Sequence, residues 1–213
     1  MDSFNRLITI TNRTVANKKN EWVVIHYVGA VSTAENNAKY FYKEYRGASA
    51  HYFVDENSIW QVVEDKDIAW HVGTNKAYHN GARNNNSIGI ELCCKKKDGN
   101  WYIEDETIDN AVWLTAEIMK KYNIPLDHLT THFLTTGKIC PEPFVREPKQ
   151  WQDFKRKVEE ALADVPEVTL KEKEELIKEF YNLDDNTVKY FEYYRYNQAL
   201  IDKLYNKAKN SGK

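Results

Sequence analysis

The chain has 213 residues, enough to bury one good core with a small appendage but too few for two full-sized domains. Its 30 Lys and Arg stand against 32 Asp and Glu, a formal charge of −2, so it lacks the overall basic field that draws proteins onto nucleic acid or anionic lipid. The stretch from Met1 to Leu7 carries no apolar run of signal-peptide length, no run approaches the roughly 18 residues that span a bilayer, and Cys93, Cys94 and Cys140 form no disulfide framework. The expectation is a soluble protein made in the cytoplasm without a signal peptide, with no nucleic acid partner and no stable membrane association.

Along the chain, Trp22 to Val28 is a continuous run of β-branched and aromatic residues, as in a central strand covered on both faces, and His26 lies inside it. Ser32-Thr33-Ala34-Glu35 has capping-box spacing, and Ala38, Phe41, Tyr42 and Tyr45 follow at helical intervals up to Gly47, predicting a helix over about 33–46. His51 to Val54 and Ile59 to Val63 flank a polar turn and predict a hairpin. A polar loop over 74–87 is long enough to line a cleft, and Ile88 to Cys94 reads as another strand. Apolar stripes from Ile108 to Tyr122, ending before Pro125, and from Trp151 to Ala161, starting after Pro148, predict two covering helices.

These elements describe an α/β domain over 1–163 with a mixed central β-sheet flanked by helices. A linker at 164–167 follows, and then an appendage over 168–213 with two helical patterns, one around Leu170–Leu183 and one around Asp185–Lys209, the second including Thr187, Tyr190, Phe191, Tyr194 and Ile201. The natural reading of that appendage is a helical hairpin.

A histidine inside an apolar strand must either satisfy its ring nitrogens with hydrogen bonds or bind a metal, since an orphaned buried polar group costs about 1–3 kcal/mol. His26 alone favours the first reading. His132 ends a short β-prone run, and Cys140 follows beyond Gly137. Two histidines and a cysteine are good zinc ligands, and three protein ligands with one open position suit a hydrolytic zinc, although this spacing alone is weak. Glu91 alternates with Ile90 and Leu92, so it faces away from their core side. An isolated strand glutamate is more often a solvated charge.

Five motifs, in order, carry a family resemblance: Val24-Ile25-His26-Tyr27; Ser49 to Asp55; Ala69-Trp70-His71-Val72-Gly73; Asn86 to Leu92; and Thr131-His132-Phe133 with Gly137 to Pro143. Together, over about residues 20–155, they resemble the zinc-dependent N-acetylmuramoyl-L-alanine amidases that share a fold with phage amidase lysins and peptidoglycan recognition proteins.

The resemblance implies that His26, His132 and Cys140 are zinc ligands, that Glu91 takes a proton from the attacking water, and that Lys138 stabilises the oxyanion. His71 and Asn86 would line the cleft and touch glycan or peptide. Many relatives carry aspartate where this chain has Cys140, and catalytically dead relatives lose this ligand, so its presence favours activity. Ala50 stands where short phage amidases often have tyrosine, which places more weight on Glu91, and Thr131 replaces the usual small residue before His132.

The implied activity is hydrolysis of the amide between N-acetylmuramic acid and L-alanine of peptidoglycan, in a phage or prophage endolysin that reaches the wall after release. A recycling amidase for wall fragments, a non-catalytic peptidoglycan-binding module and a polymerase regulator are the competing readings. The appendage is nearly neutral and rich in aromatic residues. It suits packing, cell-wall targeting, or a homodimer formed through its helices.

Overall fold

A computed structural model of the protein describes residues 3–163, 170–184, 186–188, 200, 201, 203–205 and 207. The backbone divides into two compact units, Met1–Ala163 and Asp164–Lys213.

In the first unit the strands are β1 (Ser3–Arg6), β2 (Trp22–Val31), β3 (Tyr52–Val54), β4 (Ser58–Gln61), β5 (Ser87–Lys97), β6 (Asn100–Tyr102) and β7 (Leu129–Thr131). Its helices are α1 (Ala34–Tyr42), α2 (Asp105–Tyr122), α3 (His132–Thr136), α4 (Glu142–Arg146) and α5 (Pro148–Leu162). The sheet runs β1-β4-β3-β5-β2-β7, with β6 pairing β5 off this path. It is mixed: β3 runs antiparallel to β4 and β6 antiparallel to β5, while β2 lies parallel to both β5 and β7.

The continuous apolar runs become the two central strands because both faces are covered. Ile25, Ile90 and Leu92 pack in the main core with Leu114 and Met119 of α2 and with Phe154 and Val158 of α5. On the opposite face Ala34 and Ala38 of α1 meet Phe53, Val62 and Cys93. Each large side chain so buried contributes roughly 1.5–3 kcal/mol, which explains why the two interior strands tolerate so few polar residues. His26 and Glu91 are two of the exceptions, and both belong to the site described below.

Local signals act much as their chemistry dictates. Asp55 Oδ1 accepts the Asn57 and Ser58 amides at 2.9 and 2.7 Å, closing the turn between β3 and β4. Asn123 adopts φ 58° and ends α2 ahead of Pro125, and Pro148 opens α5 at its first turn. Helix α1 departs from expectation at both ends. Its cap is Thr33, whose hydroxyl accepts the Asn36 amide at 3.2 Å, so the box beginning at Ser32 is not used. The helix also stops at Tyr42, short of 46.

In the second unit α6 (Leu170–Tyr181) is helical, with Ile177 buried. Thr187 and Ile201 are described, and Ile201 is buried. The linker at 164–167 lies outside the described residues, as do Asp185, Tyr190, Phe191, Tyr194 and Lys209 of the second helical pattern. Among the described residues no helix is long and apolar enough to cross a membrane.

Candidate metal centre

Strands β2 and β5 pair in parallel register so that His26 stands opposite Glu91, while Ile25 stands opposite Ile90 on one side and Thr131 of β7 on the other. His132 comes next after Thr131, but not as the end of a strand. The Thr131 hydroxyl accepts the Leu134 amide at 3.1 Å, so β7 turns directly into α3 and His132 is the first helical residue. Gly137, at φ 78°, gives its amide to the Phe133 carbonyl and ends the helix after one turn. The Phe133 amide then donates to the Cys140 carbonyl at 2.8 Å, which folds the chain back so that Cys140 arrives beside His132. That closed loop is the physical meaning of the spacing between the two residues.

The ligand atoms of His26, His132 and Cys140 lie within 4.8 Å of one another, and all three residues are buried. His26 Nδ1 is 3.1 Å from His132 Nδ1 and 3.7 Å from Cys140 Sγ. Donors about 2.0–2.3 Å from a tetrahedral ion lie roughly 3.3–3.6 Å from each other, so these separations match two edges of such a polyhedron. His132 Nε2 is buried with no hydrogen-bond partner in the protein. The donor set therefore fits a borderline-soft divalent ion.

Burial pushes His26 well below the ordinary imidazole range and His132 down to about 4, the neighbouring histidines and Lys138 adding to the effect at His26 and Lys138 at His132. Both rings are therefore neutral at physiological pH, as metal ligands must be. Burial, helped by the Glu91 charge, pushes the Cys140 thiol up to about 12.

A cleft of about 300 Å³ is lined by His26, His71, Glu91, His132, Lys138 and Cys140, with Phe41, Trp70 and Ile139 among its apolar walls. A neighbouring cavity of about 470 Å³ shares Val28, Phe41, Phe53 and Glu91, so the depression continues towards Asn36 and Tyr40 of α1. Glu91 Oε2 is buried without a partner, and burial raises this carboxyl to about 8 against the opposing pull of Lys138. Lys138 is exposed at the rim.

Two residues expected to meet substrate are placed differently. His71 lines the cleft with its ring, but both ring nitrogens are engaged within the protein, Nδ1 with His26 Nε2 at 3.0 Å and Nε2 with Ser87 Oγ at 3.2 Å. It has no nitrogen left for a ligand. Asn86 does not line the cleft; its Oδ1 accepts the Arg83 amide at 2.7 Å and its Nδ2 donates to the Gly81 carbonyl at 3.1 Å, which closes the loop before β5. Asn84, which sequence reasoning passed over, organises the same loop by accepting the His71 and Val72 amides at 3.1 and 2.8 Å.

His51, for which the sequence suggested no role, accepts the Gly89 amide on Nδ1 at 2.9 Å, and its Nε2 then donates to the Asp67 carbonyl at 3.2 Å. Its partners are backbone groups that almost any residue supplies, so the sequence carried no signal for this role. Cys93 and Cys94 are buried free thiols, Cys93 beside Asn37 and Cys94 donating to the Ala30 carbonyl, and neither belongs to the ligand group.

The sequence profile described as N-acetylmuramoyl-L-alanine amidase matches residues 16–143. A probable N-acetylmuramoyl-L-alanine amidase of Bacillus licheniformis is 32% identical over 149 residues, covering 66% of this chain and 41% of the relative. The chain thus spans about half or less of the length of the curated relatives it matches. Among solved structures, PlyL aligns at a TM-score of 0.64 with 26% identity, over 73% of this chain and 96% of PlyL. A mutant endolysin from Bacillus subtilis aligns at 0.61 with 26% identity, over 74% of this chain and 99% of that one.

Proposed function

Because the chain belongs to the N-acetylmuramoyl-L-alanine amidase family, we propose that it hydrolyses the amide between N-acetylmuramic acid and L-alanine of peptidoglycan, with zinc held by His26, His132 and Cys140. The observation that carries this reading is the shared cleft. Three ligand-competent side chains converge there beside a buried carboxyl oxygen that has no partner in the protein.

A zinc ion bound there would polarise the scissile carbonyl and make a water acidic enough to act near neutral pH. The protein's own residues do the rest. Glu91, opposite His26 on the adjoining strand, takes the proton of the attacking water and hands it to the leaving amine of L-alanine. Its burial suits it to that exchange, since a carboxyl raised towards neutrality both accepts and releases a proton readily. Lys138 at the rim places an ammonium beside the oxygen that becomes negative when the carbonyl turns tetrahedral.

Phe41 and Trp70 offer aromatic surface to a sugar ring. The continuation of the depression along α1 suits an extended polymer better than a small metabolite. In this reading residues 1–163 carry catalysis. Residues 168–213 have an accessory role in wall targeting, self-association or packing. The biological setting is cell-wall lysis of the endolysin kind, supported by the likeness to an endolysin of known structure.

The deciding experiment follows purified peptidoglycan for new free amino groups and new reducing ends, with and without a chelator and then with zinc restored. Chelator-sensitive release of L-alanine amino termini without reducing ends is the expected result. Binding without any release would overturn the hydrolase reading in favour of a recognition module.

A further inference from the structure

Proton positions behind His26 can be assigned from the hydrogen-bond pattern alone. The Ser87 hydroxyl has one proton and donates it to the Arg83 carbonyl at 2.5 Å. It therefore has none for His71, so the 3.2 Å contact requires His71 Nε2 to be the donor and Ser87 Oγ the acceptor. The two ring nitrogens of buried His71 meet a hydroxyl and an imidazole, with no carboxylate to hold a charge on the ring, so it is neutral and, with its one proton on Nε2, its Nδ1 is a bare acceptor. The 3.0 Å contact with His26 then requires His26 Nε2 to carry the proton. A neutral imidazole protonated at Nε2 has its lone pair on Nδ1, the atom that faces His132 and Cys140.

We infer that His71 is a positioning residue for the metal centre. The chain Arg83 carbonyl, Ser87 hydroxyl, His71 ring fixes His26 in the tautomer that can ligate, and holds its plane. This rests on the zinc reading given above. It assigns His71 a task quite different from contact with substrate, and it explains two further features. Asn84 Oδ1 holds the His71 and Val72 amides, which anchors the His71 backbone. Gly89 leaves the space its ring occupies, since a Cβ there would lie 2.6 Å from both Cγ and Nδ1 of His71. A buried ring whose nitrogen must meet another ring at hydrogen-bond distance needs both restraints, because a small rotation breaks the contact.

The test uses the full chain, isotope-labelled and freed of metal, as wild type and as His71→Phe, His71→Asn and Ser87→Ala. His71→Phe keeps the ring's bulk and removes the acceptor, whereas His71→Asn returns a carboxamide oxygen near the Nδ1 position. Ring-nitrogen NMR reads the tautomer of His26 without metal, and competition with a chromophoric chelator reads zinc affinity. Wild type is expected to show His26 protonated at Nε2. His71→Phe is expected to lose that signature and to bind zinc roughly 10–100-fold more weakly, the usual scale for a partner that orients a ligand. His71→Asn should recover most of the affinity, and Ser87→Ala should fall between.

Melting of the metal-free variants separates loss of folding from loss of orientation, and neither the tautomer in wild type nor the asparagine rescue depends on His71→Phe being stable. A wild-type His26 protonated at Nδ1, or a folded His71→Phe that binds zinc as tightly as wild type, would overturn the relay while leaving the zinc reading intact. A wild type that binds no zinc would overturn both.

Discussion

His26 and Glu91 stand directly opposite each other on the paired strands β2 and β5, both pointing away from the main core into one cleft. In the proposed site one side chain offers a lone pair to the metal, and the other presents a carboxyl oxygen that has no hydrogen-bond partner in the protein. Strand pairing thus fixes the separation of the proposed ligand and the proposed base within the central sheet, which is where a catalytic pair gains most from preorganisation.

Glu91→Gln removes the proposed base but keeps its shape. The variant should bind zinc as wild type does and lose roughly 10²–10⁴-fold in turnover, the usual worth of a positioned base. Metal content and release of amino groups, measured on the same preparation, check both halves. Full activity in Glu91→Gln would move the proton transfer to another group.

Metal loading should depend on pH through one ligand more than the other two. His26 and His132 are already neutral because burial holds both below the ordinary value, so neither must shed a proton at pH 7. Cys140, pushed up to about 12 by burial and the Glu91 charge, must give up its proton when the ion binds. Zinc affinity should therefore strengthen as pH rises and weaken as it falls, with proton release detectable by calorimetry in buffers of different ionisation heat. Cys140→Ser should flatten that dependence and weaken binding, because a hydroxyl is a poorer zinc donor than a thiolate.

Much of the architecture was legible before the structure. The central strands announced themselves as unbroken apolar runs and the covering helices as stripes bounded by prolines, since burial on one or two faces writes directly into residue type. The polar edge strand β1 and the short β6 carry no such pattern, because their outward faces meet water. The proposed ligand set came from family resemblance. The turn that brings Cys140 to His132 did not, because Phe133 and Cys140 are joined through backbone groups that every residue possesses. The sequence placed His71 in the cleft wall, where it lies, but the partners of its ring were not legible, because they depend on the room that Gly89 leaves for the ring.

Gly89→Ala tests the packing of the His71 ring without removing a polar group. The new methyl would meet the His71 ring well inside contact distance, with β5 fixed between β2 and β3, so the ring must move. Overpacking of this kind costs about 1–3 kcal/mol, read as a lowered denaturant midpoint, and zinc affinity should fall with it. An unchanged midpoint would mean that the loop carrying His71 yields at no cost.

Asp65 supplies a separate acid-sensitive contact, remote in role from the metal. Its carboxylate accepts the hydroxyls of Tyr52 at 2.5 Å and Tyr122 at 2.6 Å and pairs with Lys121 at 2.9 Å. Burial works against its charged form, but the two hydroxyls and the ammonium together outweigh it and hold the carboxyl below its ordinary value. Stability from this group is therefore fully present above the unfolded value near 4, and is lost as pH falls through the lower, folded one. The Lys121 side chain is 61% exposed, so the two tyrosines dominate. Asp65→Asn should cost roughly 1.5–3 kcal/mol at neutral pH, the scale of hydrogen bonds to a charged group. Urea midpoints measured from pH 5 to pH 2 on metal-free protein should converge between wild type and variant as acid removes what the substitution already removed. The buried histidines also lose stability in acid, but equally in both proteins, so the difference isolates Asp65. Parallel curves that never converge would place the contribution of Asp65 in packing and not in its charge.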